Sequence, residues 1–336
     1  MKYKKKRTSP QLSICLLTRN QPEDVKQFFN SLLQDQCPEL ELLVRDDSDG
    51  VETEVVYKSF KEKFSFPTRY WKGVKEGSDS YDKALLSLTK HANGKYIFWF
   101  GDDQLKRGAL KQILALTSDQ NNYALIWLNA SDKHKPSDQG FQVAGKTTFN
   151  SADDVININL GLLGFPSVTL LRRDLIAPHI DDATAVVGTT LSGFYLLMCA
   201  ITKENSKTIY INDPLLLSKP KPSGEHRWYN SFDVHVINYA VVLNHFSSRI
   251  NFWSRQNALS KHFSKVWRSV VYERAMGFSG GFATKEVKLW KMFRLYWCCP
   301  ELMLALPLML LPRRLLPALL KIYKNTVKRP SDTAET

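Results

Sequence analysis

Lys95-Tyr-Ile-Phe-Trp-Phe-Gly-Asp-Asp-Gln-Leu105 is the stretch that decides how the chain folds. Five apolar or aromatic side chains run unbroken from Tyr96 to Phe100. Such runs suit a strand buried on both faces, the habit of parallel sheets sandwiched between helices. The strand stops at Gly101 and two adjacent carboxylates, Asp102 and Asp103. In open α/β sheets, ligands bind at the carboxyl ends of the strands. Neighbouring carboxylates repel, so the pair favours a proton, a cation or a basic partner. Mg²⁺ or Mn²⁺ would accept these oxygens and share them with substrate phosphates. A helix N-cap before Leu105–Leu116 explains the pair equally well.

Outward from this strand, the chain alternates strand and helix. Leu12–Thr18 reads as a short buried strand, and Pro22 opens a helix whose stripe is Val25, Phe28, Phe29, Leu32 and Leu33. Glu41–Arg45 is a second strand, ending in Asp46-Asp47-Ser-Asp-Gly50. A helix over Glu52–Phe64, a strand near Thr68–Trp71 and a helix over Ser80–His91 lead into Tyr96–Phe100. Helix Gly108–Thr117 and strand Tyr123–Leu128 follow. This alternation predicts βαβ units and a mostly parallel sheet. Parallel strands share one carboxyl edge, so Thr18–Pro22, Asp46/Asp47 and Asp102/Asp103 are expected on the same edge. Neither G-x-G-x-x-G nor a P-loop occurs, which leaves a phosphate-bearing ligand to be neutralised by a metal.

The 336 residues carry a net charge of +13, unevenly placed. Between Arg227 and Arg329 there are 17 Lys/Arg against 4 Asp/Glu, and a second basic cluster, Lys2–Arg7, opens the chain. That asymmetry points to an anionic surface, lipid or nucleic acid. The five cysteines (Cys15, Cys37, Cys199, Cys298, Cys299) are odd in number and lack Cys-x-x-Cys spacing, which argues for a reducing compartment. The apolar run after Lys2–Arg7 is too short for a signal peptide. Leu295–Pro312 is intensely apolar but holds Glu301 and three prolines, which suits a segment lying in the headgroup layer better than one crossing the bilayer.

Leu12–Pro22, Val44–Gly50 and Gly94–Leu110 resemble, in order and spacing, the nucleotide-sugar-binding half of glycosyltransferase family 2, with its GT-A fold. Thr18-Arg-Asn20 is similar to the family's first strand end, and Asp46-Asp47-Ser48 to the element that holds the nucleoside. Tyr81-Asp82 and Gly101-Asp102-Asp103 resemble the branch that builds lipopolysaccharide O-antigens, including abequosyltransferase-like enzymes. That branch has a third Asp where this chain has Gln104, and the commoner first Asp aligns with Phe100, so metal ligation falls to Asp102 and Asp103. The resemblance implies transfer of a sugar from a nucleoside diphosphate, with Mg²⁺ or Mn²⁺, to a saccharide or lipid-linked oligosaccharide. Thr18, Asn20, Asp46, Asp47, Ser48, Asp82 and Asp102 would bind the donor. The family's catalytic carboxylates should lie near 190–195, where the chain reads Thr190-Leu-Ser-Gly-Phe-Tyr195. Asp181 and Asp182 are the nearest candidates for the base.

The expected organisation is a basic tag (1–10) and a GT-A domain (11–225) with donor half 11–130 and acceptor half 131–225. A basic amphipathic helical region (226–327) carrying the interfacial segment 295–312 follows, then a disordered tail (328–336). Such a protein would sit peripherally on an anionic membrane, at the cytoplasmic face of the inner membrane, with no nucleic-acid partner. A non-catalytic membrane scaffold of the same fold and a basic nucleic-acid-binding protein are the alternatives.

Overall fold

The computed structural model describes residues 9–35, 37–73, 80–101, 103–118, 121–132, 143, 147–218, 233–276, 289–312, 314–316 and 318. Asp102, most of the basic tag, the expected boundary near 225 and the 328–336 tail lie outside them. The order is β1 (Leu12–Thr18), α1 (Pro22–Gln34), β2 (Leu40–Asp46), α2 (Glu52–Phe60), β3 (Thr68–Lys72), α3 (Ser80–His91), β4 (Tyr96–Phe100), β5 (Gln104–Leu105), α4 (Ala109–Leu116) and β6 (Leu125–Asp132). Then come β7 (Thr148–Phe149), α5 (Ala152–Leu163), β8 (Thr169–Arg172), α6 (Arg173–Ile176), α7 (Ser192–Ile201) and β9 (Thr208–Ser218). Among the described residues there follow α8 (Tyr239–His245), α9 (Phe252–Met276), α10 (Leu289–Tyr296) and α11 (Pro300–Leu310).

The sheet runs β3-β2-β1-β4-β8-β6-β9-β5, with β7 also paired to β9. β3, β2, β1 and β4 are mutually parallel, as the apolar runs predict. All five β4 side chains are buried, whereas edge strand β3 leaves Arg69 and Lys72 at the surface. β8 departs from this direction and is antiparallel to both β4 and β6. Its last residue, Arg172, therefore pairs with Tyr96, the first residue of β4. Arg172 and Arg173 stand at the amino edge of the sheet, away from any ligand at the carboxyl edge.

The amino edge is tied by Glu41, buried at the start of β2. Its carboxylate accepts from Ser13 Oγ and the Asn93 backbone N–H, each at 2.5 Å, and from the Gly94 N–H at 3.2 Å. Gly94 has to be glycine here, because a Cβ would lie 2.5 Å from the Ser13 backbone nitrogen.

The C-terminal helices share one continuous hydrophobic core with the sheet. α9 packs along α5, where Lys261 Nζ donates to the Asn157 carbonyl oxygen and Asn157 Nδ2 to that of Ser254, each at 3.3 Å. Ser151 caps α5 by accepting from Asp154 N–H at 3.1 Å, so Asp153 and Asp154 are helix-start acids. The apolar stretch 295–312 is split between the end of α10 and α11, which Pro300 opens. Among the described residues, no helix is long and apolar enough to cross a membrane.

Candidate active site

In the order β3-β2-β1-β4, the chain moves outward one way from β1 to β3 and then returns to place β4 on the other side of β1. Such a reversal opens a crevice outside the carboxyl ends of the two central strands. Here the crevice lies between the ends of β1 and β4, at Thr18 and Gly101, and the β2 end, Asp46, pairs with Thr18. The three predicted strand ends do share one edge.

Two of those ends are zipped together. Asp47 N–H donates to the Thr18 carbonyl oxygen at 2.9 Å. Asn20 N–H donates to Ser48 Oγ at 2.7 Å, and the Asn20 side chain donates to Asp49 Oδ2 at 2.9 Å and accepts from the Asp49 backbone N–H at 3.0 Å. Asn20 adopts φ +53°, a left-handed conformation that Asn tolerates better than most residues. This explains an asparagine at the turn without a ligand. Ser48 is likewise a structural acceptor.

Asp46 is fully buried, and its carboxylate accepts from Ser48 N–H at 2.9 Å, Tyr70 Oη at 2.6 Å and Lys72 Nζ at 3.2 Å. Burial alone would raise its pKa; the bonds from Ser48, Tyr70 and Lys72 outweigh it and hold the group below the ordinary carboxylate range. Asp47 pairs with Arg45 at 3.0 Å. Beside them, Arg45, Lys72, Lys83 and His91, with Trp71 and Leu88, line a cavity of about 420 Å³. Arg45 and Lys72 in this lining are already paired with Asp47 and Asp46.

At the end of β4, Asp103 is buried. The next two residues form β5, antiparallel to β9. Gln104 Nε2 donates to Gln27 Oε1 of α1. A carboxylate in place of Gln104 would have no N–H to give that oxygen. Among the described residues, no three His, Cys, Asp or Glu gather as a metal site. Mg²⁺ and Mn²⁺ sites that share substrate phosphates need only one or two protein carboxylates. The donor set of Asp103, with Asp102 adjacent in sequence, fits that chemistry.

Asp82 lies fully buried in the first turn of α3, and its carboxylate holds the segment before α7. It accepts from the N–H groups of Gly188 and Thr190 at 2.8 Å and of Ser192 at 3.1 Å. Burial pushes its pKa up, and the three backbone bonds restrain the rise. Thr190 is held at φ +65°, a strained conformation for a β-branched residue. Residues 190–195, where the resemblance places the catalytic carboxylates, contain no Asp or Glu.

Asp181 and Asp182 are not brought to this edge. Asp181 is exposed and faces Lys90, at the opposite end of α3 from Asp82, across 3.8 Å. Asp182 pairs with His179 at 3.1 Å. A residue the sequence reading passed over, Asp132, is at the carboxyl edge instead. It ends β6, pairs with Ser218 and is half-buried. Gln104 pairs with Leu217, so one residue earlier Asp103 comes level with Ser218 from the other side of β9. By strand spacing, Asp103 and Asp132 stand about 10 Å apart. Only the strand order could have revealed this.

Residues 13–155 match the glycosyl transferase family 2 model. The matched span contains the switch-point crevice and the ends of β1, β2, β4 and β6. Among solved structures, TarS of S. aureus, residues 1–349 in complex with UDP-GlcNAc, superposes with a TM-score of 0.58 at 14% identity, over 87% of this chain and 82% of that one. The complex of the same TarS fragment with UDP gives 0.55 at 16%, over 80% and 75%. These likenesses establish the GT-A fold. No curated protein matches the sequence.

Proposed function

We propose that the chain transfers a sugar from a nucleoside diphosphate donor to a hydroxyl of a saccharide acceptor. The observation that carries this is the coincidence of the family-2 match with a switch-point crevice edged by Asp46, Asp47 and Asp103. TarS, whose fold it shares, has been solved with a nucleotide sugar, which supports a donor of that class here. Asp46 and the Thr18–Ser48 zipper form the rigid floor for the nucleoside, and Lys83 supplies positive charge beside it. A divalent cation held by Asp103 and Asp102 would offset the charge growing on the departing diphosphate. Direct displacement also needs a base for the acceptor hydroxyl. Asp132 takes that role in this proposal, because it lies on the donor edge, separated from Asp103 by the end of β9.

The basic C-terminal third and its apolar segment favour a lipid-linked acceptor, as in bacterial surface polysaccharide or lipopolysaccharide synthesis at the cytoplasmic face of the inner membrane. The test is release of nucleoside diphosphate from a panel of nucleotide sugars, with and without extracted lipid-linked saccharide. One nucleotide class should be turned over, faster with acceptor, and Asp132→Asn should slow turnover at least ~100-fold with donor affinity kept. No release from any donor would favour a non-catalytic relative of the fold, a reading supported by the missing carboxylate at 190–195.

A further inference from the structure

Helix α10 carries a second apolar stripe, about a third of a turn round from its buried face. Met292 and Tyr296 are fully buried. Tyr296 lies 5.2 Å from Phe263 of α9 between ring centroids, and its hydroxyl donates to the Val236 carbonyl oxygen. That face accounts for how α10 docks on the protein. A helix docked by one face ordinarily turns polar residues to water on the other. Here Trp290, Phe293 and Trp297, at i, i+3 and i+7, stand out at 78%, 41% and 53% exposure. Trp290 and Phe293 stack on each other, with ring centroids 6.2 Å apart. Met303 and Leu310 of α11, and Leu315 beyond it, are exposed as well.

The exposed charges of the described residues between 289 and 318 have one sign. Lys291, Arg294 and Arg314 are exposed. The single acid between residues 289 and 318, Glu301, turns inward and accepts from Ser260 Oγ at 3.0 Å and Cys299 Sγ at 3.2 Å. We propose that this stripe is a docking surface for a membrane leaflet carrying anionic phospholipid. The two tryptophans would lie at headgroup level, with Lys291, Arg294 and Arg314 on the phosphates. A second copy of the chain fits less well, because a two-fold interface would set the basic patch against itself. Nucleic acid would use the basic groups and aromatic rings but leave Met303, Leu310 and Leu315 without a role. The inference stands on these side chains and not on the donor site, so either can fail alone.

The test is flotation of the full chain with phosphatidylcholine vesicles, with and without phosphatidylglycerol. Wild type should float with the anionic vesicles and less so as salt rises. Lys291→Gln/Arg294→Gln should weaken that binding roughly 30-fold while changing binding to neutral vesicles little. Trp290→Ser/Trp297→Ser should weaken binding to both, with an unchanged melting transition because these side chains are exposed. Equal flotation of wild type and variants would overturn the proposal. So would failure to float combined with a concentration-dependent dimer that the tryptophan variant abolishes, or with a nucleic-acid complex that it weakens.

Discussion

Asp82→Asn separates an anchor of the fold from a contact to the donor. In the wild type one Asp82 oxygen accepts from both Gly188 and Thr190, and the other from Ser192. An asparagine keeps its oxygen toward Gly188 and Thr190 and turns its NH₂ group toward the Ser192 N–H. One bond to a charged acceptor is then lost, worth about 1.5–3 kcal/mol, and the Ser192 N–H is left unsatisfied. Removing the cost of burying a carboxylate returns part of that, leaving a net loss of about 1.5 kcal/mol. With a urea slope of ~3 kcal/mol/M, the unfolding midpoint should fall by about 0.5 M. The strain at Thr190 gives a second readout. In the Asp82→Asn background, Thr190→Gly should recover about 1 kcal/mol, because glycine accepts positive φ without penalty. Urea titration of wild type, Asp82→Asn and the double variant measures both effects. An Asp82→Asn variant as stable as wild type but unable to bind a nucleotide sugar would refute this reasoning and make Asp82 a ligand to the donor.

Asp46→Asn should cost about 2 kcal/mol at neutral pH, a figure discounted because Lys72 is partly exposed. Since the Asp46 pKa is held low in the folded state, its stabilisation is present above the ordinary carboxylate range and is lost as pH falls through the lowered value. The gap between wild type and variant should therefore close in acid, as melting curves across a pH series would reveal. Gly94→Ala should destabilise by about 3 kcal/mol in urea titration, because the new Cβ meets strand backbone that cannot step aside. Gly73→Ala should act differently: its Cβ meets the Asp47 Oδ1 and Arg45 Nε side-chain atoms, so calorimetry should find donor binding weakened about tenfold with little loss of stability.

Much of the donor half was legible in the sequence because buried parallel strands are continuous apolar runs and their helices carry a 3.6-residue stripe. Those two signals located β1, β2 and β4 and put Asp46 and Asp103 on one edge. Strand direction carries no such signal. β8 reads as apolar either way, and its antiparallel insertion sends Arg172 and Arg173 to the far edge. The two-residue β5 is too short to have a period, and it sets Asp103 level with Ser218, across β9 from Asp132. Asp82 shows how residue type can mislead: an acid opening a helix reads as a cap or a ligand site, but its partners are backbone groups more than a hundred residues away. The same holds for α10, whose apolar residues reveal which side is buried only once Tyr296 is placed against Phe263.

The measurement that bears most directly on the central claim is the melting temperature of the purified chain against UDP-, GDP-, CDP- and dTDP-sugars, each with Mn²⁺ or EDTA, for wild type and Asp103→Asn. A donor at ~100 times its Kd should add about 2.7 kcal/mol, a rise of about 4 °C for a chain of this size. The account predicts that rise for one nucleotide class, in Mn²⁺ only, and its loss in Asp103→Asn. A cooperatively folded protein that no donor stabilises, or one stabilised equally in EDTA and in the Asp103→Asn variant, would contradict it.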